Sequence, residues 1–168
     1  EAQGKSEIVF ADELLQARDD PRAASAMAVQ TQLLRSRQAA LQAELGAMRS
    51  MLAGLQSSAK GLEATRRAKE EQSRLLLDEL KGLRDLAAEG YLPRNRLSEQ
   101  ERLQAQLGGA ISEDIGNLGR TQQSIAEVRM RMSARQQDYD KDVESGLAEA
   151  QKEVTSLDGR LSGLAFEL

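Results

Sequence analysis

Proline is nearly absent from this chain, and its two positions divide the sequence into long uninterrupted stretches. Pro21 and Pro93 are the only prolines among the 168 residues. Proline is accepted in the first turn of a helix but disrupts a helix interior, where it removes a hydrogen bond and clashes with the preceding turn. Each proline is therefore expected to open a helix of roughly 70 residues, and Asp20 is the expected N-cap of the first helix.

The composition agrees with long helices and not with a thick core. Ala, Leu, Glu, Lys and Arg make up about half of the chain, as in coiled coils. The aromatic residues are two Tyr and two Phe, and Trp is absent. So few large side chains can fill a narrow seam between helices but not the interior of a globular domain.

The missing residue types also exclude chemistry. With no Cys and no His, the chain has no disulfides, no thiol or imidazole catalysis and no His or Cys metal site. Its acidic groups, such as Asp138, Asp140 and Asp142, are expected to be solvated on a helix face. We therefore expect no cofactor and no enzymatic activity. The net charge of −4 comes from interspersed acids and bases, so nucleic acid is not an expected partner.

One concentrated turn signal lies between the two long stretches. Gly90 can adopt the left-handed conformation that ends a helix, and Pro93 can open the next one. The sequence therefore predicts an all-α fold, a long antiparallel two-helix coiled-coil hairpin with a short extra N-terminal helix. Its expected parts are a short helix and connection at 1–20, a first arm at 21–89, a turn at 90–93 and a second arm at 94–168. The N-terminal helix is expected within 7–18, packed near the open end of the hairpin.

Apolar residues repeat at heptad spacing on both arms. From Val143 onward the steps of three and four continue to Leu168, after one change of phase near Tyr139. Both rows of the first arm become polar between about 63 and 74. The main rows are Leu34, Leu41, Met48, Leu55, Leu62, Leu76 and Leu83 on the first arm, and Leu97, Gln104, Ile111, Leu118, Ile125, Met132 and Tyr139 on the second.

The position of the turn predicts a register. If it centres near 91–92, residues face each other where their numbers total about 183. This alignment sets the polar stretch of the first arm against 109–117 of the second. We expect Lys69 and Arg66 to be paired there with Asp114 or Glu113. Four glycines of the second arm, Gly108, Gly109, Gly116 and Gly119, indicate either local irregularity or a place where another helix packs closely.

The residues around the turn are suited to binding a partner. Exposed apolar and Arg side chains at a convex tip favour docking over solubility. Ser98 and Glu101 also fit a capping box, in which case part of this segment only restarts the helix. The candidate partner-binding residues are Arg84, Leu86, Gly90, Tyr91, Leu92, Pro93, Arg94, Arg96, Leu97 and Glu101.

The same residues carry a family resemblance. The run 83–97, then Glu101-Arg102, then Leu107-Gly108-Gly109, resembles the hairpin tip of the HlyD-type membrane fusion proteins, the periplasmic adaptors of type I secretion systems. The segments 115–127 and 8–14 are similar to the same family, and the branch most similar serves exporters of proteases and lipases. Pro93 stands where many adaptors have a capping Ser. Arg84 and Leu86 match the tip residues of the drug-efflux branch only approximately.

The resemblance implies a longer protein, consistent with a chain that begins at Glu rather than Met. That protein would have one inner-membrane helix, a lipoyl-like domain split by this hairpin, and a β-barrel domain. It would lie in the periplasm of a Gram-negative bacterium, anchored in the inner membrane. The implied partners are an inner-membrane ABC transporter, a TolC-like outer-membrane channel, a secreted protein substrate and further copies in a hexameric ring.

Two hypotheses follow for the whole hairpin. In the first, neighbouring hairpins pack side by side and the tip meets the outer-membrane channel. In the second, the chain is a purely structural spacer, spectrin-like or cytoskeletal, which predicts a three-helix bundle or a parallel homodimer. Candidates for lateral contacts, some of which instead widen the seam, are Leu33, Met51, Leu75, Leu77, Leu103, Leu107 and Val128.

Overall fold

The computed structural model describes residues 8–166, and every regular element within them is helical. A short helix α1 spans Asp12–Gln16 and is followed by a 3₁₀ turn at Ala17–Asp19. Helix α2 then runs from Pro21 to Ala88, and helix α3 from Arg94 to Phe166. The predicted all-α hairpin is confirmed. The N-terminal segment was predicted to begin at residue 1 and the second arm to end at residue 168, but residues 1–7 and 167–168 lie outside the described residues.

The first long helix begins at the predicted proline. The Asp20 side chain accepts a hydrogen bond from the backbone N–H of Arg22 at 2.8 Å, and its carbonyl accepts one from Ala24 at 3.0 Å. An Asp side chain in this position satisfies one of the N–H groups that the first turn leaves without a partner. The predicted N-cap is therefore confirmed.

The N-terminal helix is shorter than the predicted 7–18. It begins only at Asp12, preceded by the extended Ala11, and no side chain caps its N-terminus. The β-branched residues Ile8 and Val9 favour extended backbone, which explains the late start. Ile8, which precedes this helix, is half-buried and lines a shallow groove with Leu33 and other residues of α2, whereas every residue of α1 is exposed.

Contacts divide the chain into two units. The turn unit consists of residues 49–129 and carries its own seam between α2 and α3. The seam is made by leucines and one valine that alternate at heptad spacing, with Leu80 only 1% exposed. Val128 is 3% exposed, so of the two alternatives stated for this residue the structure supports a place in the seam. The buried apolar residues of the turn unit are Leu76, Leu80, Leu118 and Val128.

The predicted register holds in the turn unit. Lys69 Nζ lies 2.7 Å from Asp114 Oδ2, and their residue numbers total the expected value. The predicted pairing of Arg66 with Asp114 or Glu113 on the opposite arm is not observed. Arg66 Nε lies 3.5 Å from Glu70 Oε1 on its own helix, because the i,i+4 neighbour is within easier reach than the opposite arm.

The terminal unit contains the described residues of 1–48 and 130–168. Its seam buries Leu34, Leu41 and Leu45, and Arg135 of α3 donates to the Glu44 carboxylate of α2. Residues 144–164 are all exposed, although their apolar steps predict a continued seam. The predicted register sets them against 19–39, which begins with an Ala-rich stretch too small to form a matching ridge.

The glycines noted in the second arm lie inside a continuous helix. Helix α3 passes through the four glycines at 108–119 without a break, and a Cβ added at Gly108, Gly109 or Gly119 would meet no heavy atom within 4 Å. No close helix packing therefore occurs at these three glycines within the described chain. Among residues 8–166, no helix has the length and apolar content needed to cross a membrane.

Candidate docking site at the helical turn

The turn is closed by a defined hydrogen-bond pattern. The N–H of Tyr91 donates to the carbonyl of Leu86 at 2.9 Å, and the N–H of Gly90 donates to the carbonyl of Ala87 at 3.2 Å. Gly90 has a φ of 83°, the left-handed conformation that costs an L side chain energy but is freely available to glycine. These are the two bonds of a Schellman motif, so α2 ends with its last carbonyls satisfied.

Helix α3 restarts at once after the turn. The carbonyl of Pro93 accepts a hydrogen bond from the N–H of Arg96 at 3.1 Å, and the side chain of Asn95 accepts from the same N–H at 2.9 Å. Because α3 already begins at Arg94, Ser98 lies inside the helix and cannot cap it. The capping-box interpretation is therefore wrong. Asn95 was missed by sequence reasoning, although Asn near a helix start is a recognisable signal.

Arg84 and Glu101 join the two arms just below the turn. Arg84 Nε and Nη2 donate to Glu101 Oε1 at 3.1 and 2.9 Å. Both side chains are about half exposed, so solvent screening keeps the contribution of this pair to stability small. The pair does determine the orientation of Arg84, because its guanidinium is turned across the hairpin instead of outward. The pair was not predicted, although its residue numbers nearly match the register.

The remaining candidate residues form the convex end of the turn unit. Tyr91 is 79% exposed and Leu86 45%, whereas Leu92 and Leu97 are half-buried. The backbone bonds of the Schellman motif hold Tyr91 in place, so its ring is presented on an ordered backbone. The other candidates, Gly90, Pro93, Arg94 and Arg96, are exposed.

The electrostatics of this end favour contact over local stability. Arg94 and Arg96 lie in the first turn of α3, which contains no acidic residue. Positive side chains there are repelled by the partial positive charge of the helix N-terminus, which lowers the stability of the helix by about 0.3 kcal/mol or more. Local rules are often broken in this way at functional sites. The surface offers an aromatic ring, apolar edges and guanidinium donors, which is chemistry for protein recognition.

The acidic side chains near the turn are dispersed and exposed. Within residues 8–166, no three acidic side chains lie close enough together to hold a metal ion. The acids near the turn, Asp85, Glu89 and Glu99, are all exposed and are not enclosed in a pocket.

Two long helices paired within one chain and joined by a capped turn define a long α-helical hairpin domain. The chain belongs to the AprE long α-helical hairpin family, whose model matches residues 1–166. Pairing inside one chain does not favour the spacer hypothesis, which predicts a parallel homodimer or a three-helix bundle. The family resemblance inferred from the turn is confirmed.

Two proteins of similar sequence are named as secretion proteins. The alkaline protease secretion protein AprE of Pseudomonas aeruginosa is 51% identical over 148 residues, which make up 88% of this chain and 34% of that protein. The proteases secretion protein PrtE of Dickeya chrysanthemi is 37% identical over 168 residues, all of this chain and 38% of that protein. This chain thus spans little more than a third of the length of these two secretion proteins.

A solved structure shares the fold. The crystal structure of the soluble domain of LipC, a membrane fusion protein of a type I secretion system, matches with a TM-score of 0.92. The sequence identity is 34%, and the match covers 99% of this chain and 78% of that chain.

Proposed function

We propose that this hairpin belongs to a periplasmic adaptor of a type I protein secretion system. In this role it bridges an inner-membrane ABC transporter and a TolC-like outer-membrane channel. The observation that carries the proposal is the likeness, along the whole chain, to secretion proteins and to a membrane fusion protein. The full-length protein is anchored in the inner membrane, and its substrate is a secreted protein. The hairpin itself performs no catalysis.

The turn is the part of the hairpin that meets the channel. A partner needs an ordered surface with an exposed anchor, and Tyr91 supplies it on a turn that two backbone hydrogen bonds close. Arg94 and Arg96 add donors for carbonyl or carboxylate groups of the partner. Arg84 has a different role, because its hydrogen bonds to Glu101 turn its guanidinium across the hairpin beneath the docking surface.

Side-by-side packing of hairpins in a hexameric ring explains the second set of apolar residues. Leu75, Leu77 and Leu103 of the turn unit are 57%, 43% and 44% exposed, and Leu33 of the terminal unit is 40% exposed. Exposed leucines off the seam are unfavourable in an isolated hairpin and favourable when a neighbouring copy covers them.

An export assay with the full-length protein tests the docking role. We expect Tyr91→Ala, Leu92→Ser and Arg94→Glu each to reduce secretion while the protein is produced normally. A central aromatic contact is worth about 2 kcal/mol or more, which is roughly a thirtyfold loss of affinity. Unchanged secretion by all three variants would remove the docking claim.

A matched control separates docking from general charge effects. Arg49→Glu makes the same charge reversal on an exposed position of α2 far from the turn. We expect this variant to secrete normally. An equal defect in Arg49→Glu would show that surface charge, and not the turn, limits export.

A further inference from the structure

The seam of the turn unit is interrupted by a polar layer around the buried Asp114, and the docking role does not use this layer. Asp114 is 7% exposed and contacts Lys69 across the helix pair at 2.7 Å. In the same stretch, Gln104 of α3 donates to Ser73 Oγ of α2 at 2.8 Å. Buried leucines lie on both sides of this layer, Leu76 and Leu80 towards the turn and Leu118 away from it. Four polar side chains therefore occupy positions that the heptad reserves for apolar ones.

Stability does not explain why the layer is kept. Moving an ion pair out of water costs about as much as the two charges regain from each other, and apolar replacements are often at least as stable. This pair is not fully compensated, because Asp114 Oδ2, although close to Lys69, has no aligned hydrogen bond. Gln104 Oε1 is likewise buried without a hydrogen bond.

The apolar pattern alone leaves the alignment of the two helices ambiguous. Both arms repeat every seven residues, so sliding α3 by one heptad against α2 again brings apolar rows together. The polar layer does not repeat in this way. After such a slip, Asp114 would face Leu62 or Leu76, and Lys69 would face Leu107 or Thr121. A buried charge without a partner would then lie in the seam.

We propose that the Lys69–Asp114 pair determines the register of the turn unit. By penalising heptad slips, it fixes which residues stand at the turn, more than twenty residues away along α2. A slip by one heptad would move the centre of the turn to about 88 or 95 and would dismantle the motif around Gly90. The Lys69–Asp114 pair thus keeps the turn assembled from a distance. This proposal concerns folding of the hairpin and does not depend on the function proposed above.

Distances between two spin labels test the register directly. The chain has no Cys, so Ser57→Cys and Gln106→Cys introduce the only labelling sites, both exposed in the turn unit. In the native register the two sites are offset along the helices by about 20 residues, or about 30 Å, and a slip of one heptad changes this offset by about 10 Å. Pulsed electron resonance resolves such a change. Labelled protein is diluted with unlabelled protein so that only distances within one chain contribute.

The decisive variants carry Gly90→Ala, which weakens the turn as a second register signal. We expect Gly90→Ala alone to keep a single distance. Adding Lys69→Leu and Asp114→Leu is expected to leave helix content and thermal stability equal or higher while a second peak appears, displaced by about 10 Å. A single unmoved peak in this variant would overturn the proposal.

Two further variants complete the test. The charge swap Lys69→Asp with Asp114→Lys should restore one peak, whereas each single reversal should lose it. Failure of the swap to restore one peak also overturns the proposal, even where the leucine variant does not fold. As a matched control, Asp78→Leu with Lys81→Leu removes an exposed ion pair of 2.9 Å within one arm. This control makes the same change in composition and should keep a single peak.

Discussion

Replacing Leu80 by Ala measures how strongly the seam of the turn unit holds the hairpin together. Leu80 is 1% exposed, the deepest position among the described residues. The substitution removes three carbons from an apolar environment, which is about 2.4 kcal/mol at about 0.8 kcal/mol per methylene. The cavity left behind adds to this loss, so we expect a decrease of about 3 kcal/mol in the free energy of unfolding.

Leu77 provides a matched control on the same helix. Its side chain is 43% exposed, so Leu77→Ala removes far less buried surface. The gain in helix propensity from Leu to Ala is the same few tenths of a kcal/mol at both positions. We therefore expect Leu77→Ala to change the free energy of unfolding by less than about 1 kcal/mol. The difference between the two changes in the free energy of unfolding therefore measures the contribution of side-chain burial at Leu80.

Urea unfolding followed by circular dichroism gives the comparison. With an m-value of about 2 kcal/mol/M, Leu80→Ala should lower the midpoint by about 1.5 M and leave m unchanged. Equal shifts for Leu80→Ala and Leu77→Ala would refute the assignment of Leu80 to the seam. A changed m-value would show that the substitution altered the compactness of the unfolded state or abolished two-state unfolding.

Four further changes test local features of the hairpin. Gly90→Ala places a side chain at a φ of 83° and should lower the free energy of unfolding by about 1 kcal/mol, measured by urea titration; no change would contradict the turn geometry. Gly109→Ala lies in open space on α3 and should raise it by up to about 1 kcal/mol in the same assay, whereas destabilisation would indicate hidden close packing. Asp20→Ala removes the N-cap and should cost about 1 kcal/mol, with faster amide exchange confined to the first turn of α2; unchanged exchange there would argue against the cap. The hydrogen bond from Arg74 lowers the pKa of Glu71, so the stabilisation it gives is present above the unfolded pKa of about 4.3 and disappears as pH falls through the lower folded value. Glu71→Gln should therefore flatten the decline of the urea midpoint below about pH 4.5, and an identical pH profile would rule this out.

Local signals predicted the framework of this protein because they act within a few residues. Pro21 and Asp20 start α2, and Gly90 ends it, through backbone bonds that depend only on neighbouring residues. The register followed from the position of the turn, since two helices joined by a short connection can align in few ways. The pairing of Lys69 with Asp114 could be predicted for this reason.

Contacts between side chains could not be predicted as well. The hydrogen bonds of Arg84 to Glu101 across the turn were not predicted, whereas its contact with a partner stays a prediction. Arg66 was expected to reach the opposite arm, but it lies beside Glu70 of its own helix. Long flexible side chains have several partners within reach, and differences of a few tenths of a kcal/mol decide between them.

The sequence by itself determined the class of the fold, the position of the turn and, through that position, the alignment of the arms in the turn unit, because proline and glycine restrict the backbone locally. Only the tertiary structure decided which apolar residues are covered. Val128 is buried in the seam, whereas the apolar steps from Leu147 to Leu164 are exposed. Heptad spacing indicates that a helix has an apolar face, but the burial of that face depends on the volume and distance of the side chains opposite it.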